Sequence, residues 1–61
     1  MTLTKRQEEV LSWYAVGLNA KEIAEHLDLS VHAVHAHTIR LRHALKARTI
    51  AHAVYLWYGN D

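Results

Sequence analysis

Hydrophobic residues recur at helical spacing in four successive stretches of this chain. The pattern predicts helices over roughly residues 4–16, 20–27, 31–45 and 50–58. We therefore predict an all-α fold of four helices, in one domain that spans residues 1–61. The residues expected to face its core are Val10, Leu11, Trp13, Tyr14 and Ala15, then Ile23, Ala24 and Leu27, then Val31, Val34, Thr38, Leu41 and Leu45, and finally Ile50, Ala53, Val54 and Trp57.

Residues that commonly cap helices stand at the predicted helix starts. The pairs Thr4–Gln7 and Asn19–Glu22 have the spacing of a capping box, in which the first side chain accepts a hydrogen bond from the backbone of the second residue and the second side chain reaches back. Single caps are expected before the third and fourth helices, at Ser30 and Thr49. Local chemistry and hydrophobic periodicity therefore agree on where the helices begin.

The second half of the chain also allows one long helix, because no Gly or Pro lies between Leu18 and Tyr58. Continuing the apolar stripe of residues 31–45 would, however, place Arg48, Thr49 and His52 inside the core. The apolar residues instead recur in a new phase from Ile50 onward. This shift predicts a break around residues 46–48 and two separate helices.

The third predicted helix has an unusual outer face, on the side opposite its core residues. That face holds His32, Ala36, Ile39 and His43, and it is flanked by His35 and Arg40. A helix that meets only water usually shows Glu and Lys at such positions. We interpret the outer face as a binding surface, and a DNA groove is the favoured ligand because an α-helix fits the major groove.

The charges are divided unevenly along the chain, although its net charge is only +1. Residues 1–28 hold three basic and five acidic side chains, whereas residues 29–60 hold four basic side chains and no acidic one. Five of the six histidines also lie in the second part. Since no carboxylate in that part can neutralise them, we expect the basic side chains to contact phosphates. These are Arg40, Arg42, Lys46 and Arg48.

The fourth predicted helix is apolar on nearly all sides, and 51% of the whole chain is hydrophobic. So small a domain cannot bury all of this surface, because a short chain hides only about 60% of its unfolded area. After the core-facing residues are assigned, Ala51, Tyr55 and Tyr58 remain on other faces. We predict that these three residues form the interface of a homodimer.

Several classes of function have no support in the sequence. There is no Cys, and no nucleophile stands beside a base, so we predict neither an enzyme nor a metal site nor a cofactor. No apolar run is long enough for a membrane span, and no signal peptide is visible, which leaves the cytoplasm as the expected location. Because histidine changes charge near neutrality, DNA binding should be tighter at about pH 6 than at about pH 8, with a steeper salt dependence.

Several short motifs follow one another in a single unbroken register, and they are Leu3-Thr4, Arg6, Glu9-Val10-Leu11, Ala15, Gly17-Leu18, Lys21-Glu22-Ile23-Ala24, Leu27, Leu29-Ser30, Val34, His37, Leu41 and Ala53-Val54. With these motifs the chain resembles the LuxR-type (GerE-like or NarL-like) helix-turn-helix DNA-binding domain. The resemblance implies four helices, of which the third enters the major groove and the fourth supports a dimer. It also implies base contacts by His35, Ala36 and Ile39, and phosphate contacts by Ser30 and Lys21.

The chain departs from the LuxR pattern at four positions. His35 replaces a frequent Lys, Ala33 a Thr, Lys46 a Gly and Ile50 an Arg. Two interpretations of the outer face therefore stay open. The first is a small transcription regulator that binds double-stranded DNA as a homodimer. The second is an interaction module that binds another transcription regulator and modulates it.

Overall fold

The computed structural model describes residues 2–59, and these residues form four helices. They are α1 (Lys5–Ala15), α2 (Ala20–Leu27), α3 (Val31–Leu45) and α4 (Ile50–Tyr58). The described range contains no strand, which confirms the predicted all-α class. The predicted domain limits at residues 1 and 61 lie outside the described residues. α1 is one residue shorter at each end than predicted, because Thr4 and Val16 are its caps.

The capping interactions predicted from the sequence are present at the helix starts. The Gln7 N–H donates to the Thr4 hydroxyl at 3.2 Å, and the Thr4 N–H donates to Oε1 of Gln7 at 2.9 Å. Asn19 and Glu22 make the same reciprocal pair, with both bonds at 2.9 Å. The hydroxyls of Ser30 and Thr49 accept at 3.0 Å from the third residue of α3 and α4. Each helix thus begins with its exposed backbone donors partly satisfied.

The first three helices end in the same backbone motif, with a positive φ just after the helix. The angle is +101° at Gly17, 55° at Asp28 and 56° at Lys46. In each case the next N–H donates to the carbonyl five residues earlier, as in a Schellman motif. These bonds are Leu18 to Trp13 at 3.1 Å, Leu29 to Ala24 at 2.9 Å and Ala47 to Arg42 at 2.8 Å. Two of the three turns are therefore made without the glycine that this conformation favours.

The core lies between α1 and α3, which also contact both other helices. Among the described residues, α2 and α4 do not contact each other, so they flank the central pair on different sides. The molecule measures 31 × 19 × 19 Å. The buried side chains are Leu3, Val10, Leu11, Ile23, Ala24, Val34, Leu41, Leu45 and Ala53. Leu3, which precedes the first helix, is a core residue that periodicity did not identify.

Two residues predicted to face the core are exposed instead. Val31 is 39% exposed, because it opens α3 and helix side chains lean toward the N-terminus, past the end of the core. Ala15 is exposed because it closes α1 and lies about 90° around the helix from the midpoint of Val10 and Leu11. The remaining predicted core residues are buried or half-buried.

Trp13 belongs to the edge of the core rather than to a ligand site. Its indole stacks on the imidazole of His26, with ring centroids 4.6 Å apart and an interplanar angle of 23°. This stack joins α1 to α2 at the surface, because His26 itself is exposed while Trp13 is half-buried against the core. It adds a contact between the two helices outside the buried core.

Candidate nucleic-acid interface

The outer face of α3 is exposed along the whole helix. His32, His35, Arg40 and His43 are exposed, Ala36 is half-buried, and Ile39 keeps 52% of its surface in solvent. The opposite side of α3 carries the fully buried Val34, Leu41 and Leu45. The structure thus brings all six residues of the predicted outer stripe and its flanks to one side of a single rigid helix. His37, at the edge of the core side, is half-buried.

Within the described residues, no carboxylate pairs with the basic side chains of α3. Between residues 2 and 59 the only ion pair joins Arg6 to Glu9 on α1, with 3.2 Å between Nη1 and Oε1. No acidic residue lies in α3, in α4 or in the turn between them. The acidic side chains within residues 2–59 belong to α1, to α2 and to the Asp28 turn. The outer face of α3 therefore offers cations, imidazoles and apolar groups without an anion on the same helix.

Two predicted phosphate contacts lie near helix N-termini. Ser30 caps α3, is exposed, and uses its hydroxyl to accept from the Ala33 N–H at 3.0 Å. Lys21 is exposed in the first turn of α2. A helix N-terminus attracts anions, because its unpaired N–H groups and the helix dipole both present positive charge. Both residues are therefore accessible at helix N-termini, and the first turn of α2 also holds the carboxylate of Glu22, next to Lys21.

The turn between α3 and α4 uses Arg42 as a structural residue. Its Nη1 donates to the Arg48 carbonyl at 3.3 Å, and its Nε is buried with no hydrogen-bond partner among residues 2–59. The Arg48 N–H donates in turn to Nδ1 of His52 at 3.1 Å. Arg42 is half-buried, so this placement does not support the predicted phosphate contact by its side chain. Arg40, Lys46 and Arg48 are exposed.

A second exposed surface lies on α4. Ala51 is exposed, Tyr55 is 60% exposed and Tyr58 is 44% exposed. Their spacing of four and three residues places them on one side of the helix. Burial, and then the negative charge of Glu8, raise the pKa of Tyr58 above its usual 10.0. Tyr58 also lines an open groove between α1 and α4, together with Lys5, Glu8, Glu9 and Ser12.

One polar pair was not found by sequence reasoning. The hydroxyl of Tyr14 on α1 lies 3.1 Å from Oγ1 of Thr38 on α3. The only signal in the sequence was the presence of Thr38 in an otherwise apolar inner stripe. A hydroxyl at such a position needs a partner, but the stripe itself does not show which helix supplies it.

Other kinds of site have no counterpart in the described part of the chain. Residues 2–59 contain no group of three or more His, Asp or Glu side chains placed to hold a metal ion. None of the described helices has the length and apolar character needed to cross a membrane.

A short helix, a turn over residues 28–30 and a longer helix with an exposed outer face define the helix-turn-helix class of DNA-binding domains. The family described as bacterial regulatory proteins of the luxR family matches residues 1–57, and the chain belongs to this family of DNA-binding transcription regulators. The match confirms the predicted resemblance. Neither a curated protein nor a solved structure shows significant similarity to the chain.

Proposed function

We propose that this protein binds double-stranded DNA in the cytoplasm and regulates transcription, with the outer face of α3 in the major groove. The observation that carries the proposal is the exposed, acid-free face of α3 in a chain of the luxR family. Residues near the N-terminal half of such a helix reach base edges. In this proposal His32, His35, Ala36 and Ile39 contact bases, and His43 lies farther along the same groove.

The chemistry of these side chains suits particular base edges. An imidazole N–H, as at His35, donates to the N7 or O6 acceptor of guanine, and Ile39 and Ala36 pack against the methyl group of thymine. Ser30, Lys21, Arg40 and Lys46 would contact phosphates, since they are exposed and have no carboxylate partner within the described residues. The base contacts give selectivity, and the phosphate contacts fix the position of the helix.

The proposal includes a homodimer through the exposed side of α4, formed by Ala51, Tyr55 and Tyr58. This surface carries aromatic rings and no charge, as interface centres do. However, nine residues make a helix only about 13 Å long, so two copies bury less than the roughly 800 Å² per partner of a standard interface. We therefore expect a weak dimer that becomes stable on DNA with two half-sites in an inverted repeat.

The contact by α3 is tested with the double variant His35→Glu/Ile39→Glu. Two carboxylates in the groove should weaken binding to a selected duplex at least about 30-fold, because each lost base contact costs about 1–3 kcal/mol. The matched control is Thr2→Glu/Val16→Glu, which makes the same charge change at exposed residues outside the proposed contacts. Gel shifts measure both variants after circular dichroism has shown that they fold. Equal affinity of the folded double variant and its control would contradict the assignment of α3.

The dimer is tested with Tyr55→Glu. Placing a charge at the centre of the small α4 surface should shift the protein to monomers in sedimentation analysis at high concentration. Val16→Glu is the control, because it adds the same charge at another exposed apolar residue, which is 69% exposed. A Tyr55→Glu protein that sediments like the control would place the interface elsewhere.

A second candidate function is the protein-interaction module. Its support is the exposure of Val31 and Ile39, two apolar side chains on a helix that carries few cations. An apolar helix face also suits a groove on another regulator. Retention on DNA or heparin that weakens with salt would favour the DNA function. Capture of a transcription factor by a protein with no affinity for DNA would favour the module.

A further inference from the structure

One directed hydrogen bond joins the two central helices. Tyr14 on α1 and Thr38 on α3 lie 3.1 Å apart at their hydroxyl oxygens, and both residues are half-buried. Among residues 2–59 this is the only hydrogen bond between side chains of two different helices. The fully buried side chains between the helices are all apolar among the described residues, and the stack of Trp13 on His26 joins α1 to α2.

The direction of this bond follows from counting protons. Thr38 has one hydroxyl hydrogen, which it donates to the Val34 carbonyl at 2.8 Å. Its Oγ1 must then act as the acceptor, so the Tyr14 hydroxyl is the donor. The result is a short chain from Tyr14 through Thr38 to the backbone of α3. Removing either hydroxyl breaks this hydrogen-bonded chain, while the apolar packing between α1 and α3 remains.

Apolar packing alone does not fix the rotation of a helix as sharply as a directed bond, because it has no preferred angle. Thr38 lies in the middle of α3, between two of the proposed base-contacting residues, His35 and Ile39. With side chains the helix has a radius of about 5–6 Å, and a rotation of about 10° moves its outer edge by about 1 Å. That displacement spoils a hydrogen bond to a base edge but scarcely changes attraction to phosphates.

We propose that Tyr14 and Thr38 are positioning residues that hold the rotation of α3, and thereby set the sequence selectivity of DNA binding rather than its overall strength. This inference rests on the proposed DNA-binding function. Neither residue touches DNA in it, because Tyr14 on α1 and Thr38 on α3 face each other where the two helices meet. The outer face of α3 contacts the bases, and the half-buried Tyr14–Thr38 pair on its other side holds that face at the angle that these contacts require.

The test compares affinity for a duplex that the wild-type protein selects from a random pool with affinity for poly(dI-dC). Tyr14→Phe and Thr38→Val each remove one hydroxyl and keep the rest of the side-chain shape. Each should lower the ratio of the two affinities at least about fivefold, the smaller end of what one good base contact supplies. Binding to poly(dI-dC) should stay within about twofold. The double variant should lose no more selectivity than a single one, because the pair acts as a unit.

Two further variants separate positioning from stability. Thr38→Ser keeps the hydroxyl but loses the methyl group, so it should keep selectivity even where its thermal stability falls. Thr2→Val, the control, makes the same hydroxyl-to-methyl change at an exposed residue and should change neither quantity. Should Tyr14→Phe fail to fold, the comparison of Thr38→Val with Thr38→Ser decides.

The outcomes are distinguishable. A wild-type protein that selects no sequence overturns both the proposed function and this inference. A selective wild-type protein whose Thr38→Val variant is equally selective overturns the inference alone. Loss of selectivity in Thr38→Ser as large as in Thr38→Val also overturns it, because the hydroxyl would then not be the cause.

Discussion

The left-handed backbone conformation of Lys46 lowers the stability of the protein by an amount that can be measured. Lys46 ends α3 with φ 56° and ψ 39°, in the left-handed region that is unfavourable for residues with a Cβ atom. Its side chain is exposed and, within residues 2–59, makes no hydrogen bond or ion pair that the substitution would remove. Lys46→Gly therefore relieves strain without breaking a contact. We expect this variant to be more stable than the wild-type protein.

The magnitude follows from two opposing effects. A residue with a Cβ in this conformation costs about 1–2 kcal/mol relative to the right-handed region. Glycine removes that cost but loses about 0.5–1 kcal/mol through its greater freedom in the unfolded chain. The expected net gain is about 0.5–1 kcal/mol. For a domain of this size, such a gain raises Tm by about 2–8 °C.

The assay is thermal and urea unfolding followed by circular dichroism. Lys46→Ala is the matched control, because it removes the charge but keeps the Cβ and should therefore gain almost nothing. Asp28→Gly, at φ 55°, should gain less than Lys46→Gly, because Asp tolerates the left-handed region better than most residues. Lys46→Gly that is no more stable than Lys46→Ala would refute the argument from backbone strain.

Three further predictions concern other parts of the molecule. Asn19→Ala should lower the free energy of unfolding, measured in urea, by about 1 kcal/mol, because the cap of α2 is lost. An unchanged free energy of unfolding would mean that the capping box contributes nothing to stability. The raised pKa of Tyr58 means that the folded state binds the phenolic proton more tightly than the unfolded state does. The contribution of this proton to stability is therefore fully present below pH 10.0 and is lost as pH rises through the folded pKa. Glu8→Gln should lessen that fall in unfolding measured across the alkaline range, and an identical fall would exclude Glu8 as a cause. In DNA titrations, Arg40→Ala should reduce the slope of log affinity against log salt concentration by about 0.9. Arg42→Met should reduce this slope by less, because the Arg42 side chain is already bonded to the Arg48 carbonyl. Equal reductions would contradict the structural role of Arg42.

Helix starts were predictable from the sequence because caps are local. The partners of Thr4 and Asn19 lie only three residues away, so their chemistry does not depend on how the helices pack. The outer face of α3 was readable for a similar reason, since helical spacing alone places His32, Ile39 and His43 on one side. Whether that face binds DNA is a separate question, which the experiments on His35 and Ile39 address.

The features that sequence reasoning missed depend on tertiary structure. Tyr14 and Thr38 are 24 residues apart, and only the packing of α1 on α3 brings their hydroxyls together. Val31 has the right period for the core, but where the core ends is decided by the neighbouring helices. The sequence alone presents Arg42 as a solvent-exposed cation. Its hydrogen bond to the Arg48 carbonyl forms only because the turn between α3 and α4 folds back over α3.

The stack of Trp13 on His26 makes the protein convenient for spectroscopy. The two tryptophans report on different parts of the molecule, because Trp13 lies against α2 and Trp57 belongs to α4, on another side of the central pair. A Trp57→Phe variant would leave one tryptophan, and its emission, excited apart from the tyrosines, would follow the detachment of α2 from α1 without a label. Trp13→Phe would leave the complementary probe for α4. Intrinsic fluorescence could then show whether the two flanking helices are released together or one after the other.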